Sequence, residues 1–189
     1  MIMITKAQQK VFIVFLIITL IAIAFSGCTD STDPSISSTP QPTVDIDEQN
    51  LPPLLNATVL GSILPEDLPG EWEYDQKYTS QGTITSVATK PGNHRSVITI
   101  QDKRTAQLAK YAVTPQNFSY TQSSIKWEWS ETRFYNAPAM NGKNIENGVI
   151  MGELIAYPQD RFLVIAYIVG ENDEIVDMLN LLDSLEFPK

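Results

Sequence analysis

The chain has one cysteine, one histidine and few basic residues, and each shortage excludes a kind of chemistry. Cys28 has no second cysteine, so the chain has no internal disulfide and no multi-cysteine metal site. A Ser-His-Asp triad or a histidine metal site would have to use His94. His94 follows Pro91-Gly92-Asn93, a turn composition, and we interpret it as a solvated loop residue. The 13 Lys and Arg residues face 22 Asp and Glu, a formal charge of −9 that disfavours nucleic acid as a partner.

The longest apolar run lies near the N-terminus. Residues 11–25 form a 15-residue apolar stretch, shorter than the about 20 apolar residues that a helix needs to cross a bilayer. Because Lys6 and Lys10 precede it, the run is typical of the apolar region of a secretory signal. An uncleaved anchor and a plain signal peptide remain alternatives, since the leading Met-Ile-Met-Ile lengthens the apolar segment.

The apolar run ends in Ser26-Gly27-Cys28, which resembles the bacterial lipoprotein box. The resemblance implies that the Cys28 thiol carries a diacylglyceryl group and that residues 1–27 are removed as a signal peptide. It therefore predicts a lipid-anchored protein at the cell membrane, facing outside the cytoplasm, with the membrane as a partner. Loss of residues 1–27 removes two lysines and no acids, which moves the formal charge from −9 to −11.

A linker separates this signal from the rest of the chain. Ser, Thr, Pro and Asp dominate residues 28–50, and their few apolar side chains cannot offset the entropy of ordering. The acidic residues of the linker lack the spacing and the glycine of a calcium loop, and we predict neither a metal nor a cofactor. Residues 51–189 have the length of one globular domain.

Several segments of the domain have the composition of strands. We expect a hairpin of residues 83–89 and 96–100, and a second of residues 149–157 and 162–169. Residues 162–169 are apolar on both faces, which is typical of a central strand covered on both sides. Trp72 is expected in the core. Residues 136–148 contain two glycines, a proline and four asparagines, and they are predicted to form a long loop.

Two segments are predicted to be helical. Residues 102–111 contain good helix formers, with Asp102 as a candidate N-cap. Residues 171–185, with Asn172 as candidate N-cap, place an apolar stripe at helical spacing. That stripe consists of Ile175, Met178, Leu179, Leu182 and Leu185. The predicted fold class is α+β, a mostly antiparallel sheet of five to seven strands flanked by helices, with a C-terminal amphipathic helix.

Alternation in residues 125–130 puts Trp127 and Trp129 on one face of a strand. We interpret both as core residues, because their neighbours on the other face are polar. The alternative is an exposed platform that stacks on sugars or apolar ligands. On that alternative the candidate binding surface is Trp127, Trp129 and Tyr135, and the loop 136–148 is a second candidate.

Two further sites match the pattern for N-glycosylation. They are Asn56-Ala57-Thr58 and Asn117-Phe118-Ser119. The pattern is short, and its use depends on the organism, so Asn56 and Asn117 are candidate acceptors only in a host that glycosylates exported proteins.

The C-terminal third resembles the PsbP-like family of exported accessory proteins. The resemblance rests on residues 136–142, the apolar strand 162–169 and a final amphipathic segment that ends in Leu182-Asp-Ser-Leu-Glu-Phe187. It implies an antiparallel sheet flanked by helices and a protein that binds partners instead of catalysing. The resemblance places no functional residue of the family on this chain.

Together these features predict a membrane-tethered extracytoplasmic lipoprotein that acts as a binding or accessory module, PsbP-like in kind. Its partner is a protein or small molecule of unknown identity. The alternative is a cell-surface enzyme that uses a carboxylate pair, for example on glycans. An enzyme of that kind needs a cleft with two facing acids, whereas a binding module needs an exposed aromatic or acidic patch.

Overall fold

The computed structural model describes residues 50–120, 125–170 and 173–188. The signal sequence, Cys28, nearly all of the linker and the predicted cap Asn172 lie outside the described residues. Over the described ranges, no helix combines the length and the hydrophobicity that a membrane crossing requires.

The described residues build one seven-stranded sheet in which every neighbouring pair of strands is antiparallel. The strands are β1 (Glu73–Ser80), β2 (Thr83–Lys90), β3 (His94–Asp102), β4 (Glu128–Phe134), β5 (Ala137–Glu146), β6 (Val149–Gln159) and β7 (Phe162–Val169). Their order across the sheet is β1-β2-β3-β7-β6-β5-β4. Two meanders therefore meet where β3 pairs with β7, and the predicted antiparallel sheet is confirmed.

The central strands β6 and β7 are buried on both faces. Every residue from 154 to 157 and from 162 to 166 is buried. Neighbouring residues of a strand point to opposite faces, so the sheet must be covered by other parts of the chain on both sides. The prediction that Phe162–Val169 is a central strand is confirmed.

The two faces carry separate core clusters. The first core cluster contains Leu60, Ile63, Leu64, Trp72, Ile84, Ala88, Ile98, Ile100, Ala139, Ile155, Tyr157, Phe162, Val164, Ala166, Ile168, Ile175, Met178, Leu181 and Leu182. The second core cluster contains Val113, Trp127, Met140, Leu154, Ala156, Leu163 and Ile165. The segment before β1 and the C-terminal segment thus cover one face, and part of the segment between β3 and β4 covers the other. Trp72 is in the core, as predicted.

The helices within the described ranges are few and short. They are α1 (Ala57–Gly61), α2 (Ala106–Ala112), a 3₁₀ turn (Ile175–Met178) and α3 (Leu179–Asp183). The prediction that Asp102 is the N-cap of the helix is wrong. Thr105 caps α2 instead, because its hydroxyl oxygen accepts a hydrogen bond from the Leu108 amide. In the described part of the C-terminal segment, the 3₁₀ turn and the short helix α3 replace the predicted continuous helix. Its apolar stripe still packs inward, with Ile175, Met178 and Leu182 buried.

The predicted long loop 136–148 is wrong, because most of it is the strand β5. The turn residues belong to the two ends of that strand. Tyr135 and Asn136 take positive φ values of 46° and 63° before it, and Asn147 and Gly148 take 52° and 81° after it. Two-residue turns with positive φ at both positions match the twist of an antiparallel hairpin. A composition that indicates a loop therefore describes two tight hairpin turns and the strand between them.

A buried carboxylate fastens the N-terminal segment to the sheet. The Asp102 side chain is 0% exposed and receives two hydrogen bonds from the Arg161 guanidinium, at 2.7 and 2.8 Å. The backbone amides of Leu55 and Arg104 also donate to it, each at 2.8 Å. Arg161 donates in addition to the Pro53 carbonyl at 2.8 Å. The carboxylate is therefore paired and fully hydrogen-bonded, which offsets the cost of burying its charge.

Leu182→Asp should destabilise the domain by about 3 kcal/mol or more, because an unpaired charge replaces an apolar side chain in the first core cluster. Leu182 is 3% exposed, whereas Val176 in the preceding 3₁₀ turn is 63% exposed. Val176→Asp is the matched control and should change the unfolding free energy by no more than about 0.5 kcal/mol. Chemical denaturation measures both, and equal stability of the two variants would show that the C-terminal stripe is not core.

Candidate functional site

The two predicted tryptophans share a face of the sheet but differ in burial. Trp127 is 9% exposed and belongs to the second core cluster. Trp129 lies on β4, the edge strand of the sheet, and is 38% exposed. The prediction of a core position is therefore confirmed for Trp127 and wrong for Trp129. The physical reason is that β4 has a neighbouring strand on one side only, so its side chains receive less cover.

The exposed indole of Trp129 is held firmly in place. Trp129 pairs in register with Gly142 of β5, and a Cβ atom at Gly142 would lie 2.6 Å from the indole ring. Only a glycine leaves room for the ring to lie against the strand at this point. The Phe118 ring meets the indole nearly perpendicularly at 5.1 Å, and the Trp127 ring lies 6.1 Å away. The indole is thus fixed by three neighbours and still partly open to solvent.

A cleft lies beside this indole. It has a volume of about 290 Å³ and is lined by Pro115, Phe118, Trp129, Ser130, Glu131 and Met140. That volume is at the lower end of the range for small-molecule sites, about 300 Å³ and above. Polar and apolar surfaces contribute about equally to the wall, and Glu131 contributes the only charge among these six lining residues. The alternation in the sequence identified Trp129 as a candidate site residue. It did not predict that Pro115 and Phe118, in the segment after α2, line the same cleft.

An aromatic cluster supports the cleft from the core side. Trp127 makes edge contacts with Tyr120 at 6.5 Å and with Tyr167 at 6.3 Å. Burial, reinforced by the neighbouring Tyr167 hydroxyl and the hydrogen bond to it, raises the pKa of Tyr120 well above its usual range. The indole N–H of Trp127 is buried without a hydrogen-bond partner in the described part of the chain. Rings packed in this way fix the position of Trp129 above them.

Tyr135 lies away from the cleft. Its ring contacts Phe134 at 4.5 Å and Tyr157 at 5.6 Å, and its hydroxyl donates to Asp183. Burial first, and then the Asp183 carboxylate, raise the pKa of Tyr135 above its usual range. Tyr157 belongs to the first core cluster and Trp127 to the second, on opposite faces of the sheet. The structure therefore does not bring Tyr135 together with the two tryptophans.

His94 is not a solvated loop residue, which corrects the sequence interpretation. It begins β3, and its Nδ1 lies 2.7 Å from Oδ1 of Asp173, whose side chain is 4% exposed. The other oxygen, Oδ2 of Asp173, is buried without a partner among the described residues. The two residues are 79 positions apart, so no local pattern could have joined them. A shallow depression of about 410 Å³ surrounds the β2–β3 turn here, lined by residues 89–95.

The two candidate glycosylation sites occupy different settings. Asn56 is exposed and caps α1, with its side-chain oxygen accepting from the Val59 amide at 3.0 Å. The Asn117 amide donates to the hydroxyl of Thr114 at 2.6 Å, one residue before Phe118 of the cleft. Glycosylation of either residue stays a prediction.

Two further kinds of site can be compared with the described residues. No group of three or more His, Cys, Asp or Glu side chains is placed to hold a metal ion within residues 50–120, 125–170 and 173–188. The cleft beside Trp129 contains one carboxylate, that of Glu131, where a carboxylate-pair hydrolase requires two.

Trp127→Ala should lower the unfolding free energy by about 3–5 kcal/mol, because it removes a buried ring from the second core cluster. Trp129→Ala is the matched comparison on the same face of the sheet and should lower the unfolding free energy clearly less, since Trp129 is 38% exposed. Thermal and denaturant unfolding of both variants measure the difference. A Trp129 variant as unstable as the Trp127 variant would mean that Trp129 serves packing alone.

Comparison with known proteins finds no matching family model, no similar curated protein and no similar solved structure.

Proposed function

We propose that the protein is a membrane-tethered, extracytoplasmic binding or accessory module, and that its ligand or partner docks in the cleft beside Trp129. One observation carries the proposal: a large indole is partly exposed while three neighbours pack against its ring. Trp129 is 38% exposed, while Gly142, Phe118 and Trp127 fix its ring. Binding sites use rigid aromatic side chains because little conformational entropy remains to be lost on association.

The burial of the neighbouring residues supports the same site. Met140 at the base of the cleft is 6% exposed and belongs to the second core cluster. The cleft is therefore lined on one side by a core residue and on the other by the exposed β4 residues Ser130 and Glu131. Small-molecule sites combine apolar side chains with a few polar groups in this way.

The membrane tether is the second part of the proposal and rests on the sequence. The order of lysines, apolar run and Ser26-Gly27-Cys28 supports lipidation of Cys28 and a location on the outer side of the cell membrane. A lipid-modified Cys28 would tether the domain to the membrane.

The finer description of the fold also belongs to this proposal. We describe the domain as α+β with its sheet flanked by helices, since α1 contacts β1 and β2, and α2 contacts β6 and β7. The PsbP-like character rests on the sequence elements alone. The alternative of a surface enzyme with a carboxylate pair is not favoured at this cleft, because Glu131 is the only carboxylate in its lining.

Trp129→Ala should abolish partner or ligand capture by the full-length protein in its native membrane. Tyr78→Ala is the matched control, because Tyr78 is an exposed aromatic residue (56%) on β1, the opposite edge strand. Quantitative comparison of the material crosslinked to the native protein and to each variant measures the effect. Equal loss in both variants, or loss in neither, would contradict a site at Trp129.

Mass spectrometry of the membrane fraction should find Cys28 as a lipid-modified N-terminal residue, with residues 1–27 absent. The expectation follows from the lipobox resemblance, in which lipid addition to the thiol precedes cleavage. Cys28→Ser is the control and should leave the precursor unprocessed, because serine offers no thiol. An intact, unmodified N-terminus in the native protein would favour the uncleaved anchor instead.

A further inference from the structure

The cleft beside Trp129 contains the negative charge of Glu131. The Glu131 side chain makes no hydrogen bond or ion pair with another described residue. Arg133, two positions along the same strand face, donates instead to the Asn136 carbonyl. Lys143 on β5 lies 3.6 Å from Glu153. Neither of these cations forms an ion pair with Glu131. Arg133 keeps its own positive charge, because its hydrogen-bond acceptor is a neutral carbonyl. The Glu131 carboxylate therefore has no ion-pair partner among the described residues.

The aromatic walls of the cleft favour the same sign of ligand. An aromatic ring has a negative electrostatic potential over its face, and Trp attracts a cation more strongly than Tyr or Phe does. Trp129 is the exposed ring, and Phe118 stands nearly perpendicular to it, with the ring centroids 5.1 Å apart. A ligand that occupies the cleft therefore meets an aromatic surface and the Glu131 carboxylate together.

The rest of the lining selects among cations. Pro115, Phe118 and Met140 offer apolar contacts, and Ser130 lines the cleft from the strand position between Trp129 and Glu131. A small metal ion needs several oxygen ligands, whereas a substituted ammonium group spreads its charge over methyl groups that favour apolar contact. A formal charge of −9 on the chain further raises the local concentration of cations.

We propose that the cleft binds a small organic cation with a quaternary or methylated ammonium group. The Trp129 indole supplies the cation–π surface, the Glu131 carboxylate supplies the opposite charge, and Phe118 closes one side. This inference rests on the proposed function, because it names the ligand class for the same site.

The test uses choline and its neutral isostere 3,3-dimethylbutan-1-ol with the full-length protein. The protein is held in a polyoxyethylene detergent, which carries neither an ammonium group nor a sugar. Titration calorimetry should show millimolar or tighter binding of choline, and binding of the isostere weaker by about tenfold or more, because the isostere lacks only the charge. Trp129→Ala should abolish choline binding.

Glu131→Gln should weaken choline binding about fivefold to tenfold at low salt, since it removes the charge and keeps the shape. Glu128→Gln is the matched control: Glu128 lies on the same strand but on its other face, and its loss should leave the affinity unchanged. Added salt should reduce the difference between wild type and Glu131→Gln.

Three results would overturn this inference. The first is no choline binding at millimolar concentration, and the second is equal affinity for choline and the isostere. The third is Trp129-dependent binding of a neutral sugar such as maltose with none of choline. Each leaves the proposed function intact if Trp129→Ala still loses its native partner while Tyr78→Ala keeps it. If both aromatic variants keep that partner, the proposed function fails as well.

Discussion

The burial of β6 and β7 on both faces is the constraint on which the rest of the structure depends. A sheet with two apolar faces needs two covers, and this chain builds them from short segments instead of long helices. Short segments hold few apolar contacts, so polar anchors fix them. Asp102 and Arg161 hold residues 53–55, and Glu153 accepts from the Ile175 amide at 2.7 Å to hold the C-terminal segment.

Local patterns predicted the strands well because the two strands of a hairpin, and the turn between them, are close together in the sequence. The β-branched composition and the turn at residues 90–93 were sufficient to predict β2 and β3. The apolar run was sufficient to predict β7. The anchors could not be predicted in this way. Asp102 and Arg161 are 59 positions apart, and His94 and Asp173 are 79 apart. Asp102 has a helix-capping composition in sequence, and only the tertiary fold places Arg161 against it.

The candidate site was predicted only in part, and the reason is the strand β5. Its asparagines, proline and glycines favour a loop by composition, yet Gly142 is needed in the strand because the Trp129 ring occupies the space of its side chain. With residues 136–148 assigned to a loop, the surface beside Trp129 could not be foreseen. The alternation predicts the same burial for Trp127 and Trp129. Their burial differs because Trp129 lies on β4, the edge strand of the sheet.

The cleft lies at the edge of the sheet because that is where a large aromatic residue escapes burial. Central strands are fully committed to the two cores, whereas β4 has one neighbour and six of its seven residues are exposed. Exposed edges invite pairing with other chains, and charged side chains on the edge oppose it. Glu128, Glu131 and Arg133 supply those charges on β4. Glu131 thus has two roles: it opposes strand pairing at the edge of the sheet, and it gives the Trp129 cleft the charge that favours a cation.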